Sequence, residues 1–301
     1  MRSVTSRSAL VAASLLFAAL APSACSSAAP GKNSTGQLTV VASFYPLQFA
    51  AEQIGGSHVA VTSLTRPGAE PHDIELTTHD VATVSTAGLV VYEKGLQGAV
   101  DKAVESQAAN RSLDVTSAAN LDLKLTSGAT DPHFWLDPQR YSNVANVIAA
   151  RLSSADPAHK ADYEKNAQAF VDKLTALSRE FSVGLASCQR RDLVTSHAAF
   201  GYLAQRFGMK QVAINGISPD QEPDAAEIAA VSTFAKTHGV TTVYAETLAS
   251  PAIAATVARE TGVRVATLDP IEGLTKQSAG KNYFEVMRSN LKALRAGEGC
   301  S

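Results

Sequence analysis

Three histidines and one aspartate stand where a chain could gather metal-binding side chains. His72 ends the loop string Arg66-Pro67-Gly68-Ala69-Glu70-Pro71-His72, and His133 lies in Asp131-Pro132-His133-Phe134-Trp135-Leu136-Asp137-Pro138. His197 directly follows an apolar, strand-like run at Asp192–Ser196, and Asp269 ends Val265-Ala266-Thr267-Leu268. Taken singly, a histidine after proline reads as an ordinary loop residue and Asp269-Pro270 as a turn former. Taken together, three imidazoles and a carboxylate make a tetrahedral N3O donor set, which suits zinc by ligand type and geometry. The prolines beside His72 and His133 would stiffen that set before an ion arrives. Glu70, Asp131, Asp137 and Glu246 are candidates for orienting the imidazoles, with a structural or solvated role as the default for each. The other histidines, His58, His79, His159 and His238, need no function. His238 precedes Gly239 in a last helical turn, where an imidazole meets free carbonyls.

The elements that must carry these residues read as strand and helix in alternation. Strands are expected at Gln37–Ser43, Val59–Leu64, Leu89–Tyr92, Asp192–Ser196, Gln211–Ile217, Thr242–Tyr244 and Arg264–Leu268. They are short and apolar, as parallel strands covered on both faces are. Helices are expected at Pro46–Ile54, Asp80–Thr86, Ala199–Phe207, Ala225–His238, Pro251–Thr261 and Asn282–Arg295, with Gly208, Gly239 and Gly262 as C-caps. The centre differs. Asp156–Leu185 spaces Tyr163, Ala167, Phe170, Leu174, Leu177 and Phe181 by threes and fours, the signature of one long amphipathic helix. The fold class is therefore α/β, with two lobes built on parallel-type sheets, a long rigid helix joining them and a cleft between. The divisions are 37–155, 156–185 and 186–301. In such sheets ligands bind outside the carboxyl ends of strands, where His197 and Asp269 fall.

The strings SFYPLQFAAEQIGG, RPGAEPHDIELT, DPHFWLDP, SHAAFGYLAQRFGM, ISPDQEPDAAEIAAV and LDPIEGL resemble the solute-binding proteins of zinc and manganese ABC importers. They occur in that family's order and span Ser43 to Leu274. The resemblance implies two α/β lobes joined by one long helix, which agrees with the independent reading of 156–185. It implies metal ligation by His72, His133, His197 and Asp269, and delivery of the ion to a membrane permease. A His at the third position goes with zinc in that family and a Glu with manganese, so His197 favours zinc as the transported ion. One departure stands out: Asn120–Thr130, where many zinc members carry a His-rich loop, has no histidine. That points to one metal per chain, loaded with help from a metallochaperone. A manganese or iron receptor of the same transporter type is the alternative within the class.

Composition narrows the rest. The chain has 301 residues, 45% hydrophobic and 18% charged, which excludes disorder and coiled coil. With 26 Lys+Arg against 28 Asp+Glu it has no general attraction to nucleic acid. Residues 1–24 read as an export signal: Arg2 and Arg7, a short apolar run Ala9–Ala21, then small residues before Cys25. The run is too short to span a bilayer core, which needs roughly 20 residues. Cys25 resembles a bacterial lipoprotein lipidation site, although Pro22 stands where that pattern usually carries Leu. Residues 25–36 read as a flexible tether to the outer face of the membrane; without lipid the protein would be periplasmic or secreted. In an oxidising compartment the remaining Cys188 and Cys300 are expected to pair. A monomer is expected. Two other classes remain open: a zinc-dependent hydrolase, which would need an open coordination position, and a surface adhesin. No HExxH or GxSxG motif supports the hydrolase.

Overall fold

The protein is described by a computed structural model covering residues 31–125, 127–218 and 223–301. The segment read as an export signal and Cys25 lie outside the described residues. The first lobe carries strands β1 (Leu38–Ala42), β2 (Val59–Ser63), β3 (Leu89–Tyr92) and β4 (Ser112–Asp114). Its helices are α1 (Tyr45–Gly55), α2 (Thr78–Thr86), α3 (Gly98–Gln107), α4 (Thr116–Ala119) and α5 (Pro138–Ala155). Helix α6 (Lys160–Gly184) leads to the second lobe. There the elements are β5 (Asp192–Thr195), α7 (Gly201–Arg206), β6 (Lys210–Ala213), α8 (Ala225–Thr237), β7 (Thr242–Ala245), α9 (Ala252–Thr261), β8 (Arg264–Thr267) and α10 (Tyr283–Glu298).

Among the described residues each lobe holds one four-stranded, all-parallel sheet, ordered β2-β1-β3-β4 and β6-β5-β7-β8. The two orders are the same, and each reverses direction beside its first strand. That reversal opens a crevice at the carboxyl ends, and the two crevices face one another across the cleft. Strand periodicity splits the packing. Val40, Val91 and Leu193 enter one large core, while Val41 and Val90 face a second cluster and Val194 and Val243 a third. The large core crosses from lobe to lobe through α5, α6 and α10, with Phe49, Phe170, Tyr283 and Phe284 in mutual ring contact. A shared core of this kind leaves little room for the lobes to swing apart.

The long helix begins later than its periodicity suggests. A 3-10 turn at Pro157–His159 precedes it, so Ala158 and Ala161 are exposed while Tyr163, Ala167, Phe170, Leu174, Leu177 and Phe181 are buried as read. Helices α3 and α5 and strand β4 have no counterpart in the sequence reading. Of the segment read as a flexible tether, residues 31–36 lie against the first lobe. Thr39 N–H donates to the Gly31 carbonyl at 2.9 Å, Lys32 pairs with Asp156 at 3.0 Å, and Asn33 closes a turn on Gln37. Cys188 and Cys300 are disulfide-bonded, closing 112 residues of sequence. His58 and His159, read as solvated, are half-exposed and stack at 3.9 Å between ring centroids, each paired with an aspartate. His238 accepts its expected place, its Nδ1 lying 3.1 Å from the Phe234 carbonyl.

Candidate metal centre

Each parallel strand releases its chain into the cleft, and the loops after β2, β5 and β8, with the loop between α4 and α5, bring four side chains together. The donor atoms of His72, His133, His197 and Glu272 all lie within 4.8 Å of one another. The finer distances are more informative. Glu272 Oε1 lies 3.3, 3.1 and 3.4 Å from the Nε2 atoms of His72, His133 and His197. His133 Nε2 lies 3.3 Å from that of His72 and 3.4 Å from that of His197. A tetrahedral zinc ion with bonds of about 2.0–2.1 Å sets its donors about 3.3–3.4 Å apart. Five of the six edges of such a tetrahedron are therefore already in place.

The loops are shaped for this. Asp131 accepts both the His133 backbone N–H, at 2.9 Å, and its ring Nδ1, at 2.8 Å, leaving Nε2 to point into the cleft. Gly201 makes room for that aspartate: a Cβ there would meet Asp131 Oδ2 at 2.4 Å. Glu246, which follows β7, treats His197 the same way, with Oε1 on its backbone N–H at 3.0 Å and Oε2 on its Nδ1 at 2.5 Å. A carboxylate on Nδ1 fixes the tautomer and raises the basicity of the ligating nitrogen. Glu70 serves His72 more loosely, accepting its backbone N–H at 2.9 Å. Asp137 does not face the cleft; it caps α5 through Gln139 N–H and pairs with Arg206 and Arg140.

The carboxylate beside the imidazoles belongs to Glu272, not to Asp269. Asp269 is buried three residues upstream, its Oδ1 accepting the Ile271 N–H at 2.8 Å and its Oδ2 the Ser278 hydroxyl at 2.9 Å. Asn290 brackets its backbone on both sides, and Trp135 Nε1 donates to the Pro270 carbonyl at 2.7 Å. These bonds hold Ile271 at φ 58°, a left-handed conformation that is strained for a β-branched residue. The strain turns the chain back so that Glu272, and not Asp269, enters the cleft. Asp269 thus acts on the site through backbone geometry. The sequence signal for Glu272 lay in the same string, LDPIEGL, three positions on.

Burial and charge reinforce the set. His133, His197 and Glu272 side chains are fully enclosed, and His72 is 6% exposed. Burial alone would raise the Glu272 carboxyl, but hydrogen bonds from His133, His197 and His72 outweigh it and hold it well below the carboxylate range. For His197, burial works against the charged form, yet the Glu246 charge and hydrogen bond, with Glu272, push it up to about 10. His133 is likewise raised, Asp131 and Glu272 outweighing desolvation. Burial dominates at His72 and lowers it. Among the four, His72 alone borders a cavity of about 690 Å³, walled mostly by first-lobe residues such as Glu93, Lys94 and Asn120, with Ile217 from the second lobe.

Comparison with known proteins agrees with this centre. The family described as ZnuA, zinc-uptake complex component A, periplasmic, matches residues 40–297. The chain belongs to this family. The high-affinity zinc uptake system protein ZnuA of Bacillus subtilis is 35% identical over 304 residues, 95% of each chain. The zinc-binding lipoprotein AdcA of Streptococcus pneumoniae is 36% identical over 94% of this chain and 60% of its own length. The present chain thus spans somewhat more than half of the AdcA relatives it matches. The crystal structure of the Zn(II)-bound ZnuA-like domain of that AdcA superposes with a TM-score of 0.75 at 37% identity, covering 87% of this chain and 99% of that one. Two parallel-sheet lobes and a long helix are thus the ZnuA-type fold. Among the described residues no helix is long and apolar enough to cross a membrane.

Proposed function

We propose that this protein is an extracytoplasmic zinc receptor that binds one Zn²⁺ through His72, His133, His197 and Glu272 and passes it to the permease of an ABC-type importer. The carrying observation is the near-tetrahedral spacing of the four donors, with five contacts of 3.1–3.4 Å. Three imidazoles and one carboxylate favour zinc over manganese, which prefers oxygen-rich octahedral sets. Four protein donors close the coordination sphere, leaving no position for the activated water of a zinc hydrolase. Binding and release, and not turnover, is what such a site does. The names of the ZnuA and AdcA relatives support the zinc reading, and the AdcA title of lipoprotein supports an anchor at Cys25 on the outer face of the membrane. A single centre on a monomer, with no histidine in Asn120–Thr130, fits loading by a metallochaperone.

The test is thermal unfolding of the metal-stripped protein with one equivalent of zinc or manganese. An ion held at about 1,000 times its dissociation constant stabilises the fold by about 4 kcal/mol. At about 2–4 °C per kcal/mol for a body of this size, zinc should raise the midpoint by about ten degrees and manganese by far less. Equal shifts would give the site to manganese as well, and no shift with either would refute the metal centre.

A further inference from the structure

His72 sits in a loop, Pro71–Leu76, that lies outside the sheets and helices and turns at His72–Asp73. Across the cleft the loop meets Glu272 through the His72 ring and Ser218 through Asp73, at 3.2 Å. On its own lobe Ile74 and Leu76 pack against the second core cluster, and one buried side chain bonds the peptide that precedes His72. Gln97, 1% exposed, donates from Nε2 to the Pro71 carbonyl at 3.0 Å, immediately before His72. The same amide nitrogen donates to Thr65 Oγ1 at 3.0 Å, and the Thr65 hydroxyl donates to the Ser43 carbonyl at 2.8 Å. The chain of bonds thus runs from Ser43, just past β1, through Thr65, two residues past β2, to the peptide that presents His72.

Gln97 is well seated for this task. It is the N-cap of α3, and its carbonyl accepts from Val100 and Asp101 at 2.9 and 3.0 Å, which ties its backbone to a helix. N-cap positions favour short side chains that cap the helix themselves; the Gln97 side chain makes no cap bond and extends away to Pro71. The partners also fix the amide's orientation. The Pro71 carbonyl can only accept, and Thr65 has already directed its proton to Ser43, so the nitrogen must face both. Its oxygen is left buried without a partner, a cost that the fold tolerates at this position.

Building on the zinc reading above, we infer that Gln97 is a positioning residue for the metal centre, holding the Pro71–His72 peptide so that the His72 imidazole is set for the ion before the ion arrives. Gln97 touches no metal donor. It acts through the loop, as outer partners of metal ligands do when their loss costs about 10–100-fold in affinity.

The test is a double-mutant cycle on the full chain, reading zinc affinity by chelator competition and the visible absorption of bound Co²⁺. Gln97→Met keeps the size and removes both donated bonds; it should weaken zinc by about 10–100-fold and reduce the intensity of the tetrahedral cobalt bands. Thr65→Val removes the lower bond and leaves the Pro71 bond, so its affinity should stay near the parent's. In a His72→Ala background the Gln97→Met effect should vanish. Gln97→Asn, one methylene too short to reach Pro71, should behave as Gln97→Met and serves if that variant does not fold. Unchanged affinity in both Gln97 variants overturns the inference, as does an equal loss in Thr65→Val or a loss that persists without His72. A parent protein that binds neither zinc nor cobalt overturns the metal centre itself, and this inference with it.

Discussion

Replacing Glu272 by Gln and, separately, Asp269 by Asn decides which carboxylate in the Asp269–Glu272 turn meets the ion. Both changes are nearly isosteric and both remove a buried charge, so packing losses are matched. Glu272 Oε1 sits 3.1–3.4 Å from three imidazole nitrogens. Losing one partner of a buried, hydrogen-bonded charge pair costs about 2–5 kcal/mol, which is about 30- to 4,000-fold in affinity at 1.4 kcal/mol per decade. Asp269 instead accepts from the Ile271 N–H and the Ser278 hydroxyl. An asparagine oxygen keeps one of these bonds, so the fold loses about one hydrogen bond, about 0.5–1.5 kcal/mol of stability, and zinc affinity falls by at most about 2- to 12-fold. Burial already raises the Asp269 carboxyl, so neutralising it offsets part of that.

The assay is competition between the protein and a fluorescent zinc chelator at pH 7.5, with unfolding midpoints of the metal-free proteins measured alongside. The expected order is a severe loss for Glu272→Gln and a mild one for Asp269→Asn. Should Asp269→Asn lose as much affinity as Glu272→Gln, or more, the turn must rearrange on metal binding, and the geometry at Ile271 would not be the ligand-bound one.

Zinc and protons should compete with a defined sign. His197 is held near 10 and His133 is raised, so the metal-free centre carries protons at neutral pH that zinc must displace; calorimetric binding enthalpies should vary with buffer ionisation enthalpy. For the metal-free fold, His197 contributes stability that is complete below about 6.5 and lost as pH rises through about 10, so acidification from pH 9 to 6.5 favours it. The zinc-dependent rise in unfolding midpoint should therefore be larger at pH 8 than at pH 6, and an equal rise at both would contradict the raised imidazoles. Glu246→Gln replaces the carboxylate on His197 Nδ1 and should weaken zinc by about 10–100-fold without exchanging a ligand, readable by the same chelator competition; unchanged affinity would remove Glu246 from the site. Cys188→Ser with Cys300→Ser reopens a 112-residue loop, worth up to about 4–5 kcal/mol in the chain-entropy model, and should lower the unfolding midpoint while leaving zinc affinity intact.

The legible parts of this protein are those that local rules decide. Short β-branched runs gave seven of the strands in the two sheets, and apolar residues spaced by threes and fours gave the buried face of α6. The three histidines stood out because parallel strands must end at the cleft, and each follows a strand or a proline-stiffened turn. Helix α5 has no counterpart in the sequence reading although Tyr141, Val144, Ala145, Ile148, Ala149 and Leu152 keep the three-and-four spacing on its buried face. Arg140 and Ser142 are buried beside them near its start, Arg140 bonded to the carbonyls of Ala119 and Asn120 and to Asp122. Strand β4 is three half-buried residues at a sheet edge and shows no apolar run.

The fourth donor was misplaced for a related reason. Asp269 occupies the expected post-strand position, and only a left-handed Ile271 hands that role to Glu272. The residue type does not favour that conformation; the Asp269 side chain bonds the Ile271 N–H, and Asn290, 21 residues from Asp269 in sequence, and Trp135 of the opposite lobe bond the backbone of Asp269 and Pro270. Trp135 lies two residues after His133 and its carbonyl accepts from Tyr283 of α10, so the same string that supplies one imidazole also props up the turn that supplies the carboxylate. The centre is therefore built from residues of both lobes. With a core shared between the lobes, separating them would break these bonds together, while the His72 loop is held by the Gln97 and Ser218 bonds and by the packing of Ile74 and Leu76.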